Sequence, residues 1–463
     1  MVRTRTTLVV IFAALLGGIA ASAAAQSVTV TDLFSFSSYA LGNSYATPVQ
    51  SRSGLIYSNT TGSGSDGSLF DFSNGGVTTY FITFNTIDGA VPSPHMLLGS
   101  DGNLYGADLA GGTFGYGVLF RLTPAGKYTK LHEFNGGDGE GPFSLVEASD
   151  GNIYGVTKGG AFFPTLFKYT PAGVFSTLYT FDNPHGVFAQ SIIQAFDGNL
   201  LVTSLEGGTN NNGTIVELSK AGKVLSTYKF PGGVGGSLPM ALVAGSDGNY
   251  YGVTNSGGQT TGFGYGTVFR YTPQGTVTIL YALNSPGTTG DGTYPFGIVQ
   301  ASDGFLYGTT TAGGANNLGS LFRISTSGAY TSLYSANAAI GDPYGAPMQD
   351  TNGLIYMAAI YDGPTNNGTY HSGYGAMVSV NAGAPAFAKL VQNLRSVGQQ
   401  AQILGQGFTG TTSVTFNGIS ATSFKVVNDT YVTATVPSGA KTGPVVVTTP
   451  TGTLTSFPNM TIR

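Results

Sequence analysis

Five aspartates, Asp88, Asp138, Asp182, Asp291 and Asp342, stand one apiece at five of the junctions between the repeats of this chain. Carboxylates brought around one axis could hold a cation or a cationic ligand. Asp88, Asp138 and Asp291 each precede glycine, which is ordinary turn chemistry, and no DxDxDG loop accompanies them. A second series is aromatic: Phe114 with Tyr116, Phe162 with Phe163, Phe263 with Tyr265, and Tyr370 with Tyr374. Such rings can stack on sugars or on a partner protein, although the chain has no tryptophan, and packing between repeats competes for the same rings. The candidate ligand-binding residues drawn from the two series are Tyr116, Tyr265, Tyr374, Asp138 and Asp291.

Acid–base chemistry has thin support. A glycosidase or lyase needs two carboxylates, or a carboxylate and a base, converging at short range. Of the five glutamates only Glu140 and Glu206 fall in expected loops. His95, His132, His185 and His371 lie in different repeats without metal-ligand spacing, and neither GxSxG nor HExxH occurs. The GYG triplets at Gly115 and Gly264 lack the Lys-Ser/Thr of a phosphate loop. No catalytic residue, metal ligand or cofactor is assigned.

The elements that must carry these residues are repeated. SDGNLYGADLAGG from Ser100, SDGNIYGVTKGG from Ser149, SDGNYYGVTNSGG from Ser246 and SDGFLYGTTTAGG from Ser302 are clear copies of one segment. Weaker copies begin at Ser53, Phe196 and Asn352, making seven. A period near 50 residues without helical patterning implies four short strands per unit, the sequence form of a propeller blade. Asp-Gly supplies a tight hairpin turn and Pro-x-Gly a second one, so each unit reads as an antiparallel meander. Strands such as VLFRL and TVFRY are apolar on nearly every residue, as a strand buried on both faces would be. The repeated tyrosines are read as packing residues between blades. The last unit lacks the YTxLYxF strand that closes the others, and VTDLFSF from Val30 is expected to supply it by pairing with the strand from Ala376.

Composition sets the compartment. Arg3 and Arg5, the apolar run LVVIFAALLGGIA and Ala23-Ala24-Ala25 read as a secretory signal, with a core too short for a comfortable membrane span. There is no cysteine, so stability outside the cytoplasm rests on packing and ring closure. Loss of Arg3 and Arg5 takes the formal net charge from −4 to −6. With 9% charged residues and no basic cluster, nucleic-acid binding is disfavoured. The expected location is secreted, periplasmic or cell surface, with no membrane span after cleavage; oligomeric state is not legible.

The pattern changes near Pro385. The last 79 residues show short alternating strands without the repeat, enough for one small sandwich. GQGF at Gly405, VTFNG at Val414, NDTYVTATVP at Asn428 and GAKTGPVVVTTPTG at Gly439 resemble the IPT/TIG immunoglobulin-like domain, which implies a spacer or interaction module. The repeat region, through DGNLYG at Asp101, GGTFGYGVLFRLTPAG at Gly111 and DGTYPFG at Asp291, resembles the choice-of-anchor tandem-repeat GloVer family of exported proteins, which brings no established activity. The chain is therefore expected to be all-β: a signal peptide over 1–25, a seven-bladed β-propeller over 26–384 and an immunoglobulin-like β-sandwich over 385–463. The expected function is an exported, non-catalytic scaffold binding a glycan or cell-surface protein through one propeller face. The alternative is a carbohydrate-active hydrolase or lyase with its site at the axis mouth.

Overall fold

The computed structural model describes residues 6–9, 28–36, 44–61, 66–73, 76–260, 264–285, 290–337, 342–360 and 375–463, with backbone only for 6–9, 76–78 and 80. Among them there is no α-helix, and the strands form ten sheets. Seven belong to the repeat region. Numbered along the chain, they run over residues 49–83, 90–133, 142–180, 187–229, 237–282, 292–335 and 342–381. Each is an antiparallel meander whose first strand lies innermost.

The seventh sheet is completed from the other end of the repeat region. Val28–Ser35 pairs antiparallel with Ala376–Asn381, placing Val30 opposite Val380 and Ser35 opposite Ala376. Val28 and Val30 join the core between the sixth and seventh sheets, and Leu33 and Phe36 join the core between the seventh and first. Thr6–Val9, within the expected signal, adds an edge strand to Val28–Ser35. Cleavage after Ala25 would release it and leave five strands, the short segments Asp342–Pro343 and Met348–Gln349 both pairing with Ile355–Ile360.

The repeated motif explains the packing. Tyr154, Tyr251, Tyr307 and Tyr356 are buried, and the hydroxyls of Tyr105, Tyr154, Tyr251 and Tyr307 donate to the aspartate of their own Asp-Gly turn at 2.6–2.9 Å. The glycine after the tyrosine serves close approach. Gly106, Gly155, Gly252 and Gly308 stand directly opposite Phe120, Phe167, Phe269 and Phe322 on the next strand. A Cβ on any of these glycines would meet the phenylalanine ring at 2.3–2.4 Å. In the fourth sheet the same pair is Val202 and Val216, so volume is exchanged across the strands rather than lost.

A polar latch joins neighbouring sheets at the Asp-Gly end. The backbone N–H of Ser149, Ser246 and Ser302 donates to Gln194, Gln300 and Gln349 of the following sheet at 2.7–2.9 Å. Ser100 donates likewise to Glu147 at 2.6 Å, and the Gln50 amide donates to Thr351 at 2.7 Å. Leu98 and Ala244 occupy the glutamine position at the two remaining junctions. Both junctions are contacted by the last 79 residues. Arg52 donates to Gln402 at 2.8 Å and to the Ser100 carbonyl at 2.6 Å, and Arg463 donates to the Phe196 carbonyl at 2.9 Å.

That C-terminal unit has two four-stranded sheets, plus a short parallel pair of Leu394–Arg395 with Thr461–Ile462. Ile403, Phe408, Val414, Phe416, Val432 and Val447 form its core. The GQGF motif has the logic of the repeats: a Cβ on Gly405 would meet the Phe408 ring at 2.2 Å. Leu404 and Tyr431 extend into the cluster of Tyr57, Leu98 and Leu104, with the Arg52 guanidinium 4.7 Å above the Tyr431 ring.

Candidate functional site

The innermost strands of all seven sheets surround a cavity of about 470 Å³. At the Asp-Gly end it is stoppered by the C-terminal unit through Phe387, Lys389, Leu390, Phe457 and Pro458. Burial holds the His95 imidazole, on its wall, down at about 4, and raises the Asp350 carboxyl to about 6 against the opposing pull of Lys389. The opposite end gathers the loops between sheets and the loops between second and third strands. Tyr116 and Tyr265 lie in loops between second and third strands, and Asp138 and Asp291 in loops between sheets.

The two loop series are tied together by residues that the sequence reading passed over. Val91, Phe188, Leu238 and Tyr294 have φ of 56–58°, and Gly141 at the equivalent position has 63°. A bulky side chain in the left-handed region costs roughly 1–3 kcal/mol and persists only where surroundings over-determine it. Here the N–H groups of Val91, Gly141, Leu238 and Tyr294 each donate at 2.9 Å to a loop carbonyl of the preceding sheet. The inner strand is bulged just beyond this point in the third to sixth sheets. Val91 and Tyr294 are thereby turned out to solvent, with Phe188 and Leu238 half-buried. A signal existed: the dipeptides Val-Pro, Gly-Pro, Leu-Pro and Tyr-Pro opening the inner strands of the second, third, fifth and sixth sheets.

The candidate residues fare unequally. Tyr116 is half-buried and meets the Phe162 ring edge-on at 5.6 Å. Tyr265 is half-buried, 6.3 Å from Tyr294. Tyr374, with Phe263, Tyr370 and His371, lies outside the described residues. Asp138 accepts from the Asn135 N–H at 2.9 Å and pairs with His132 at 2.8 Å. Asp291 is buried and accepts from Tyr281 at 2.6 Å and Asn284 at 3.1 Å. Asp88 and Asp182 likewise accept from Asn85 and His185 of their own loops. The carboxylates thus shape the loops, while the exposed surface comes from Phe114, Phe162, Phe163 and Tyr294. No cluster of metal-ligating side chains occurs among the described residues.

One sector departs from its repeats. Asp108 stands where Thr157, Thr254 and Thr310 stand elsewhere; those hydroxyls pair across the strand with Thr165, Thr267 and Ser320. Asp108 faces Val118 instead and is fully buried. Burial raises its carboxyl well above the usual range, and the charge of Asp88 adds to that rise. An acid with a raised folded-state pKa contributes stability that is fully present below the unfolded value of about 4 and lost as pH rises toward the folded one. Where the folded chain keeps the proton and the unfolded chain has lost it, each pH unit costs about 1.4 kcal/mol. Asp108→Asn should therefore flatten the decline in stability as pH rises above the unfolded value of about 4. Thermal melts across that range check this; parallel curves for the two chains would show that Asp108 is not held neutral.

The all-β fold of repeated four-stranded sheets is propeller-like. The chain belongs to the Gloeobacter/Verrucomicrobia repeat family, whose sequence model matches residues 17–188 and 163–371. No curated protein matches it. Among solved structures it is similar to a catalytically inactive virginiamycin B lyase from Staphylococcus aureus with Quinupristin, at TM-score 0.54 and 17% identity, over 76% of this chain and 99% of that one. A fungal alcohol oxidase of the AA5 family in complex with copper matches at 0.53 and 14%, over 92% and 98%. The extracellular domain of a protein assigned as a hybrid two-component system from B. thetaiotaomicron matches at 0.52 and 12%, over 94% of this chain and 60% of that one. At these identities the likeness is one of fold.

Proposed function

We propose that the seven sheets are the blades of a closed β-propeller, that residues 385–463 form an immunoglobulin-like domain of the IPT/TIG kind, and that the protein is an exported scaffold binding a glycan or a cell-surface protein through one propeller face. The observation that carries this reading is the asymmetry of the two ends. One end is stoppered by the C-terminal unit, while the other presents aromatic side chains on loops whose carboxylates are engaged within those loops. An exposed aromatic rim suits stacking on sugars or on a protein surface. Location outside the cytoplasm or at the cell surface rests on the signal-like segment, and one fold neighbour is itself an extracellular domain. No helix among the described residues is long and apolar enough to cross a membrane.

The enzymatic alternative draws on Asp108 beside Asp88, a buried carboxyl whose pKa is raised next to a second acid. Asp108 has no solvent exposure, so a substrate would require the second sheet to open. A glycan array read for binding and for bond cleavage separates the two. The scaffold reading expects retention without cleavage, lost in the Phe114→Ser, Tyr294→Ser double variant. Turnover abolished by Asp108→Asn would establish the enzyme instead.

A further inference from the structure

A second cavity, of about 180 Å³, opens between the third and fourth sheets at the rim end. Its walls are Phe162, Phe163, Pro164 and Phe188, with Lys158 beside them. Phe162 and Phe163 remain 45% and 48% exposed, and Phe188 is set in place by its left-handed backbone. The loop keeps its shape through Glu140, whose carboxylate accepts from the Ala161 N–H at 2.8 Å and the Phe162 N–H at 3.3 Å.

Lys158 is the unusual member. Its ammonium lies 5.0 Å from the centroid of the buried Phe143 ring. It belongs to none of the ion pairs among the described residues, which are Lys130–Glu133, His132–Asp138, His185–Asp182 and Lys220–Asp150. Burial lowers its pKa with no acidic neighbour opposing the shift. A half-buried cation held only by a ring face keeps its hydrogen-bonding capacity for something else. The cavity's size suits a single ring, and its walls supply apolar faces on which a ring can lie.

We propose that this cavity binds a small cyclic carboxylate, a hexuronate unit of an acidic glycan, with Lys158 taking the carboxylate and Phe162, Phe163 and Phe188 the ring. The site stands on its own geometry and does not need the scaffold reading of the rim. Isothermal titration of the exported chain with glucuronate, glucose and benzoate tests it. Glucuronate should bind roughly tenfold or more tightly than glucose, the size expected for a hydrogen bond to a charged partner. Benzoate distinguishes the source: binding weaker than glucuronate assigns a sugar acid, and equal binding assigns a ring carboxylate in general. Lys158→Met should erase the preference for charge with an unchanged melt, Lys158→Arg should retain it, and Phe163→Ala should weaken every ring ligand. Equal binding of glucose and glucuronate, no binding of any probe, or a preference surviving Lys158→Met would overturn the proposal. Phe163 is half exposed, so its variant remains informative if Lys158→Met fails to fold.

Discussion

Gly308→Val is expected to destabilise the chain by about 3 kcal/mol, near the upper end for overpacking a core. The added Cβ would lie 2.3 Å from Phe322 Cζ and 2.9 Å from the Gly297 carbonyl oxygen, so neither wall can simply retreat. Phe322→Val alone should cost about 2–4 kcal/mol, because it leaves a cavity beneath a ring that is completely buried. The double variant should be more stable than the sum of the two costs requires, with a coupling of at least about 2 kcal/mol. The reason is internal to the chain. Val202 opposite Val216 already fills the same two positions in the fourth sheet. Denaturant melts of the four chains measure the coupling, and additive costs would show that the glycine is there for another reason.

The second large effect concerns the C-terminal unit. A chain ending at residue 384 should melt well below the full chain. Leu404 and Tyr431 leave the cluster around Tyr57, Leu98 and Leu104, and each buried side chain of this size contributes about 1.5–3 kcal/mol. The loss falls where the repeat region has least in reserve. The two junctions that lack the polar latch are those touched by Arg52 with Gln402 and by Arg463. The stopper of the central cavity is also removed, which exposes Leu98 and Met348 on the inner strands. Coincident melts for the truncated and full chains would show instead that the repeat region is self-sufficient.

Much of this fold was legible because it repeats. The period, the Asp-Gly turns and the missing final strand placed the repeat meanders and the pairing of Val30 with the strand from Ala376, since each depends on local residue types recurring in register. The glycine seats were written in the same motif, but their purpose needs the ring on the facing strand, which is a cross-strand property. The rim was legible only in position. Asp138 and Asp291 fall in the expected loops, yet whether a loop carboxylate faces solvent or its own backbone depends on partners such as His132 and Tyr281. The left-handed residues and the solitary Lys158 were missed because bulky residues rarely adopt such a backbone, and an unpaired lysine is defined by what its neighbours lack.

The central claim is that ligands meet this protein at one end only. Hydrogen exchange on the chain, with and without a glycan that it retains, tests this most directly. The account predicts added protection confined to loops such as 111–117, 135–141, 159–164 and 233–238. Protection centred on the Asp-Gly turns or on residues 385–463, with those loops unchanged, would contradict it.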